Sequence, residues 1–161
     1  LVFAKDKQLP FIATNIPRRY ASKVFKEGIE SLDDLTDEAK QYIAPLPIKV
    51  DLSLPGYQAM LEMGGHDSGN NFPNAQAIKD ATMAHFIIAN WQKGQQFIHY
   101  NGAYHSNNYE GIVWYLKQAN PKLKILTLST IEQTDVSTLA DDAKKIADYI
   151  IVVPESMTKT H

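Results

Sequence analysis

Apolar positions along the chain switch between short β-type runs and longer stretches of helical spacing. The segment Leu9 to Pro17 has an apolar centre at Phe11 to Ala13, closed by Asn15 and Pro17, and predicts a short buried strand. From Arg18 to Leu32, Tyr20, Val24, Phe25 and Ile29 recur at helical spacing, and a second helix is expected over Leu35 to Ile43, with Thr36 at its start and Pro45 and Pro47 beyond it. Asp51 to Gly65 predicts a short helix ended by the Gly64 and Gly65 pair, and His66 to Asn74 reads as a polar loop. Asn74 to Lys93 carries the strongest helical pattern, with Asn74 as expected N-cap and Gly94 as terminator. Gln96 to His105 predicts a strand running into a turn at Gly102. Tyr109 to Pro121 predicts a helix, Leu123 to Thr130 a strand, Ser137 to Asp148 a helix and Tyr149 to Glu155 a strand. Strands alternating with helices need crossover connections, so the expected fold is α/β, a mainly parallel sheet flanked by helices on both faces in three layers.

A length of 161 residues fits a single domain spanning 1–161, and no repeat or interdomain linker breaks it. Sixteen Lys and Arg against eighteen Asp and Glu give a net charge of −2 with no block of like charge, which argues against a nucleic-acid surface. The chain contains no cysteine, which excludes disulfides, thiolate metal sites and a thiol nucleophile. No apolar run is long enough to span a bilayer. The opening residues, Leu1 to Pro10, read as the last turn of an amphipathic helix followed by a loop, as expected of a fragment or a processed product.

Candidate chemistry gathers at a few positions. Gly102-Ala103-Tyr104-His105 falls where a strand is expected to end, the edge of a parallel sheet at which ligands bind. An imidazole there suits a metal ligand, a general base or a hydrogen-bond donor, and equally a helix cap. Gln76 and Asp80 are four apart and share a helix face, with Met83 on the next turn; Asp80 suits orienting a histidine or holding a cation, unless that face is simply solvated. Tyr57 to His66 joins a phenol, small residues and an imidazole; a tyrosinate can ligate ferric haem, although Tyr57, Met60 and Leu61 also have the spacing of a core-facing turn. Arg18 and Arg19 stand at an expected helix start, where the dipole disfavours cations and an anion partner would explain them. No phosphate loop, nucleophile elbow, zincin or EF-hand motif occurs.

Taken together and in order, "FIATNIPRRYASKVFKEG", "AQAIKDATMAHFI" and "FIHYNGAYHSNNYEGIVWYL" resemble the ChaN-like haem-binding lipoproteins, a group related to the Tiki and EreA proteins with paired GxxH motifs. The chain looks like the C-terminal part of a larger ChaN-like domain, so the resemblance places a first GxxH region and a lipoprotein signal upstream. It implies a bacterial cell-envelope protein for haem uptake, membrane-anchored by a segment outside this chain. It also implies a homodimer with Tyr on the iron, transport rather than turnover, and an outer-membrane haem receptor as a further partner. Gly102 and His105 match the second GxxH motif, and Gln76, Asp80, Met83 and Ala84 match the family's QxxxDxxMA helix. Tyr57 falls where the resemblance puts the iron ligand. His66 is then a propionate or cross-dimer contact, and Arg18 and Arg19 are further anion partners. The Tiki and EreA relationship also implies an alternative, a metal-dependent hydrolase in which His105 and Asp80 hold a metal or activate water.

Overall fold

The helices begin and end where the chain supplies capping chemistry. The computed structural model describes residues 1–64 and 69–158. After a single turn at Val2–Asp6 (α1), helix α2 runs over Arg18–Glu27. It buries Tyr20, Ala21 and Val24, and stops at Gly28, whose φ of 90° suits a residue without a Cβ. A 3-10 turn at Ile29–Leu32 follows and drops Leu32 into the core. Thr36 caps α3, Asp37–Lys40, by accepting the Ala39 N–H at 3.2 Å. Helix α4, Pro55–Gly64, opens on a proline, whose fixed φ and missing N–H suit a first helical position. Helix α5, Asn71–Asn90, is the hub: α2, α4 and α6 (Ile112–Ala119) all pack against it.

Because α5 has neighbours on several sides, it is buried around most of its circumference, including Ala77, Ile78, Asp80, Ala81, Thr82 and Met83. Three clusters result. Tyr20, Val24, Leu32 and Ile78 join α2 to the first half of α5; Met83, Ala84, Ile87, Ile112 and Leu116 join its second half to α6; and Tyr57, Met60 and Ala77 join it to α4. Full burial of a side chain such as Val24, Leu32 or Ile78 stabilises by about 2 kcal/mol each.

The sheet is smaller than the sequence pattern predicts. Among the described residues it has two strands, β1 (Leu128–Gln133) and β2 (Tyr149–Pro154), paired in parallel from Leu128 opposite Tyr149 to Gln133 opposite Pro154. Helices with a small parallel sheet agree with an α/β chain, but the described residues do not show a mainly parallel sheet covered by helices on both faces. The runs around Phe11 and Phe97 to Tyr100 form no backbone ladder, and Phe11, Ile98 and Tyr100 point to solvent. A strand exists only where a neighbour takes its N–H and C=O groups, which periodicity alone does not specify. These two segments are instead joined through side chains, Thr14 to His99.

Two helix expectations also change. Helix α5 starts earlier, with Asn74 inside it and its N–H donated to Asn70 O at 3.0 Å; Trp91 is already extended, so Gly94 lies beyond the end. Ser137 to Asp148 holds only a 3-10 turn at Asp141–Ala143. There, Asp135 Oδ1 accepts from Ser137 N at 2.8 Å and Ser137 Oγ at 2.6 Å, and Lys145 has a φ of 76°. Local side-chain bonds of this kind compete with helix formation.

Candidate functional site

Spacing on α5 builds the site. Gln76 and Asp80, one turn apart, both face the 3-10 turn Ala103–His105 that carries the GxxH histidine. His105 Nδ1 lies 2.5 Å from Asp80 Oδ1 and 2.9 Å from the Gln76 side-chain amide. The other Asp80 oxygen, Oδ2, accepts the Tyr57 hydroxyl from α4 at 2.8 Å. Asp80 is completely buried, whereas the His105 side chain is 17% exposed. The Asp80 carboxylate assigns the proton to His105 Nδ1, which requires the Gln76 amide to turn its oxygen toward that N–H, and the Nε2 lone pair then faces outward with no partner among the described residues. A carboxylate behind one nitrogen fixes the orientation of the ring, an arrangement suited to holding a metal, a proton or a ligand oxygen.

The electrostatics follow from burial. Desolvation pushes the Asp80 carboxyl above the usual carboxylate range, against the opposing pull of His105, Tyr57 and Lys79. Burial, reinforced by the Asp80 charge, pushes the Tyr57 phenol far above its ordinary value, so it remains a protonated donor. Tyr115, on α6 beside it, is pushed up by burial as well and donates its hydroxyl to Lys49 O at 2.8 Å.

Glycines bring the backbone close enough for this arrangement, and Gly111 matters more than the glycine of GxxH. Gly102 has φ −70°, open to any residue, and a Cβ there would meet nothing nearer than His105 Cδ2 at 4.0 Å. Gly111, at the start of α6, has φ 53° and ψ −121°; a Cβ there would sit 2.5 Å from His105 O and 3.1 Å from Asp80 Oδ2. One residue earlier, Glu110 accepts the Gly56 N–H at 2.7 Å and ties the first turn of α4 to the same loop. Neither contact has a signature in the sequence beyond a glycine before a helix.

A second histidine supports the site from behind. His99 Nε2 is 2.8 Å from Thr14 Oγ1, and its Nδ1 is 3.1 Å from Asn101 Oδ1, while the Asn101 amide nitrogen donates to Ser106 Oγ and Gly102 O. The Asn101 oxygen therefore takes a proton from His99 Nδ1, and His99 Nε2 accepts from Thr14. Both ring nitrogens of His99 are thus satisfied, as in a structural histidine. Burial lowers its pKa from the ordinary 6.5, with the nearby His105 acting in the same direction and Asn101 opposing. The unfolded chain then binds the proton more readily than the folded one. His99 contributes stability that is full above pH 6.5 and declines as the pH falls below it. Asp80, with its raised pKa, has the opposite sign at lower pH. A pH series of urea unfolding should therefore show a flatter loss of stability between about pH 6.5 and 5 in His99→Gln than in the parent chain; equal slopes would remove His99 from the account.

The other predicted residues are placed as follows. Tyr57 is 3% exposed and stands behind the dyad, so its oxygen meets a metal only by leaving Asp80. His66 lies outside the described residues. Arg19 Nη2 donates to Tyr20 OH at 2.9 Å, and its guanidinium lies 4.6 Å from the Tyr20 ring centre. Arg18 is exposed, and neither arginine meets a carboxylate or touches the dyad among the described residues. Accessible phenols lie around the GxxH turn instead, at Tyr100, at Tyr104, which is 69% exposed, and at Tyr109. Among the described residues no group of three or more His, Asp or Glu is placed to hold a metal ion, and no helix is long and apolar enough to cross a membrane.

The chain is thus an α/β chain whose central helix holds a GxxH histidine through a buried aspartate. Residues 1–116 match the family described as "Haem-binding uptake, Tiki superfamily, ChaN", and the chain belongs to that family. No curated protein and no solved structure matches it.

Proposed function

We propose that this protein binds haem for uptake at the bacterial cell envelope, on the surface where His105 Nε2 emerges beside the exposed phenol of Tyr104. The observation that carries the reading is the buried Asp80 carboxylate behind His105, which holds an imidazole at the surface with its outer nitrogen free. The donor set fits haem. A phenolate suits ferric iron, an imidazole suits a propionate or an iron-bound group, and Arg18, free of carboxylates among the described residues, suits a propionate. When bound, haem supplies only the iron that is carried. The chain would hold and orient it, as expected for transport rather than turnover.

In this reading Tyr104 is preferred to Tyr57 as iron ligand, because Tyr104 reaches solvent whereas the Tyr57 hydroxyl is buried and donated to Asp80. The apolar residues exposed nearby, Phe11, Ile98 and Tyr100, suit a second copy of the chain, so the carrier is a homodimer that passes haem to or from an outer-membrane receptor. Absorbance spectra of hemin complexes test the ligand choice. Tyr104→Phe should remove the tyrosinate charge-transfer band and Tyr57→Phe should leave it. The reverse result would return the iron to Tyr57, and loss of the band in neither would reject both. Sedimentation of the same samples should show haem-dependent dimers.

The dyad also favours a second reading, hydrolysis, since Asp80–His105 has the geometry of a general base with its orienting carboxylate. As a metal site it would need ligands beyond this pair, which the described residues do not group together.

A further inference from the structure

We propose that a cleft on the other side of Tyr115 is a second binding site, for an amphipathic organic carboxylate whose apolar body lies in the cleft and whose charge meets Lys49. The cleft holds about 380 Å³, within the usual range of small-molecule sites. Its floor is Ala81, Ala84 and Ile88 of α5, and Trp114 of α6 forms a side. Small side chains on the floor allow a ligand to lie close to the helix.

The opposite wall is the proline-containing segment from Ala44 to Lys49, which is fastened at both ends. Ala44 N donates to the buried Thr82 Oγ1 at 3.2 Å, and Lys49 O accepts the Tyr115 hydroxyl at 2.8 Å. A wall held this way is formed before any ligand arrives, so little ordering cost remains at binding.

Charge selects the ligand. No Asp or Glu lines the cleft, while Lys49, His85 and Gln118 do. The Lys49 ammonium lies 5.8 Å from the Trp114 ring centre and forms no ion pair among the described residues. The nearby Asp51 carboxylate accepts from Ser53, N–H at 3.0 Å and hydroxyl at 2.6 Å, and interacts with the Lys49 charge without forming an ion pair with it. His85 has no hydrogen-bond partner among the described residues and packs edge-on against Phe86. An apolar trough with an unpaired cation at its mouth complements an anion with an apolar tail.

This site is separate from the His105 surface and does not depend on haem binding. Decanoate, with decanol as its uncharged counterpart, is a direct probe in a Trp91→Phe background, where Trp114 is the one indole. Decanoate should change Trp114 emission saturably. Lys49→Met should weaken decanoate about fivefold and leave decanol unchanged, as an exposed ion pair would. Ala119→Phe, which fills the rim from its exposed side, should weaken both ligands. Absence of saturable binding, equal decanoate binding after Lys49→Met, or indifference to Ala119→Phe would each overturn the proposal; hemin binding would be unaffected by that outcome.

Discussion

Asp80→Ala is expected to destabilise the chain by about 3 kcal/mol, read as a shift of the urea midpoint at pH 7. The carboxylate is fully buried and shared between two donors, the His105 imidazole on Oδ1 and the Tyr57 phenol on Oδ2. Its own desolvation is unfavourable, which is why its pKa is raised. Removing it nevertheless leaves the Tyr57 hydroxyl orphaned in the core, and an unsatisfied buried donor costs more than a net hydrogen bond contributes. That asymmetry gives a sharper test. Tyr57→Phe combined with Asp80→Ala should cost clearly less than the sum of the two single changes, because the donor and its acceptor leave together. Additive costs, or a loss below about 1 kcal/mol for Asp80→Ala, would show that Asp80 is not the anchor of the network.

Gly111→Ala should be comparably damaging, at about 3 kcal/mol, and should also act on the site. Two causes combine. The backbone at φ 53° and ψ −121° is open essentially to glycine alone, at a cost of about 1–3 kcal/mol for any other residue. The added Cβ would also meet His105 O at 2.5 Å, a backbone atom with no flexible end to swing aside. The turn carrying His105 must therefore move, and His105 Nε2 moves with it. A matched Gly102→Ala control separates the two glycines, since Gly102 has φ −70° and space for a Cβ. It should stay within about 1 kcal/mol of the parent. If the two variants behave alike, the role assigned to Gly111 fails.

The gap between these glycines shows what a sequence reveals about such a site. The GxxH spacing draws attention to Gly102, but the close approach that needs a glycine comes from the residue before α6, and only the path of the chain after His105 brings it there. Helical periodicity, in contrast, places Gln76 and Asp80 on one face, because a one-turn repeat along a helix is local. Tyr57 has the residue type of an iron ligand and the spacing of a core residue. Its burial against Asp80 depends on how α4 crosses α5, a tertiary fact that outweighs residue type. The sheet is the other case. Apolar runs at Phe11 and Phe97 have strand character, yet strand pairing is a property of two segments and cannot be read from one. The pair that does form is fixed by Asp148, whose Oδ2 accepts Thr127 N at 2.7 Å and Thr127 Oγ1 at 2.9 Å just before β1 and β2 enter register.

An equilibrium hemin titration of the chain beside its His105→Ala variant, followed by absorbance, decides whether the Asp80–His105 pair serves haem binding. The variant removes the imidazole that Asp80 holds at the surface, and its urea midpoint, read beside the parent's, checks that the fold is retained. Saturable binding by the parent chain and at least about tenfold weaker binding by the variant are expected, the size of one lost charge-assisted contact. No saturable binding by the parent chain, or equal affinity in the two proteins, would contradict that role.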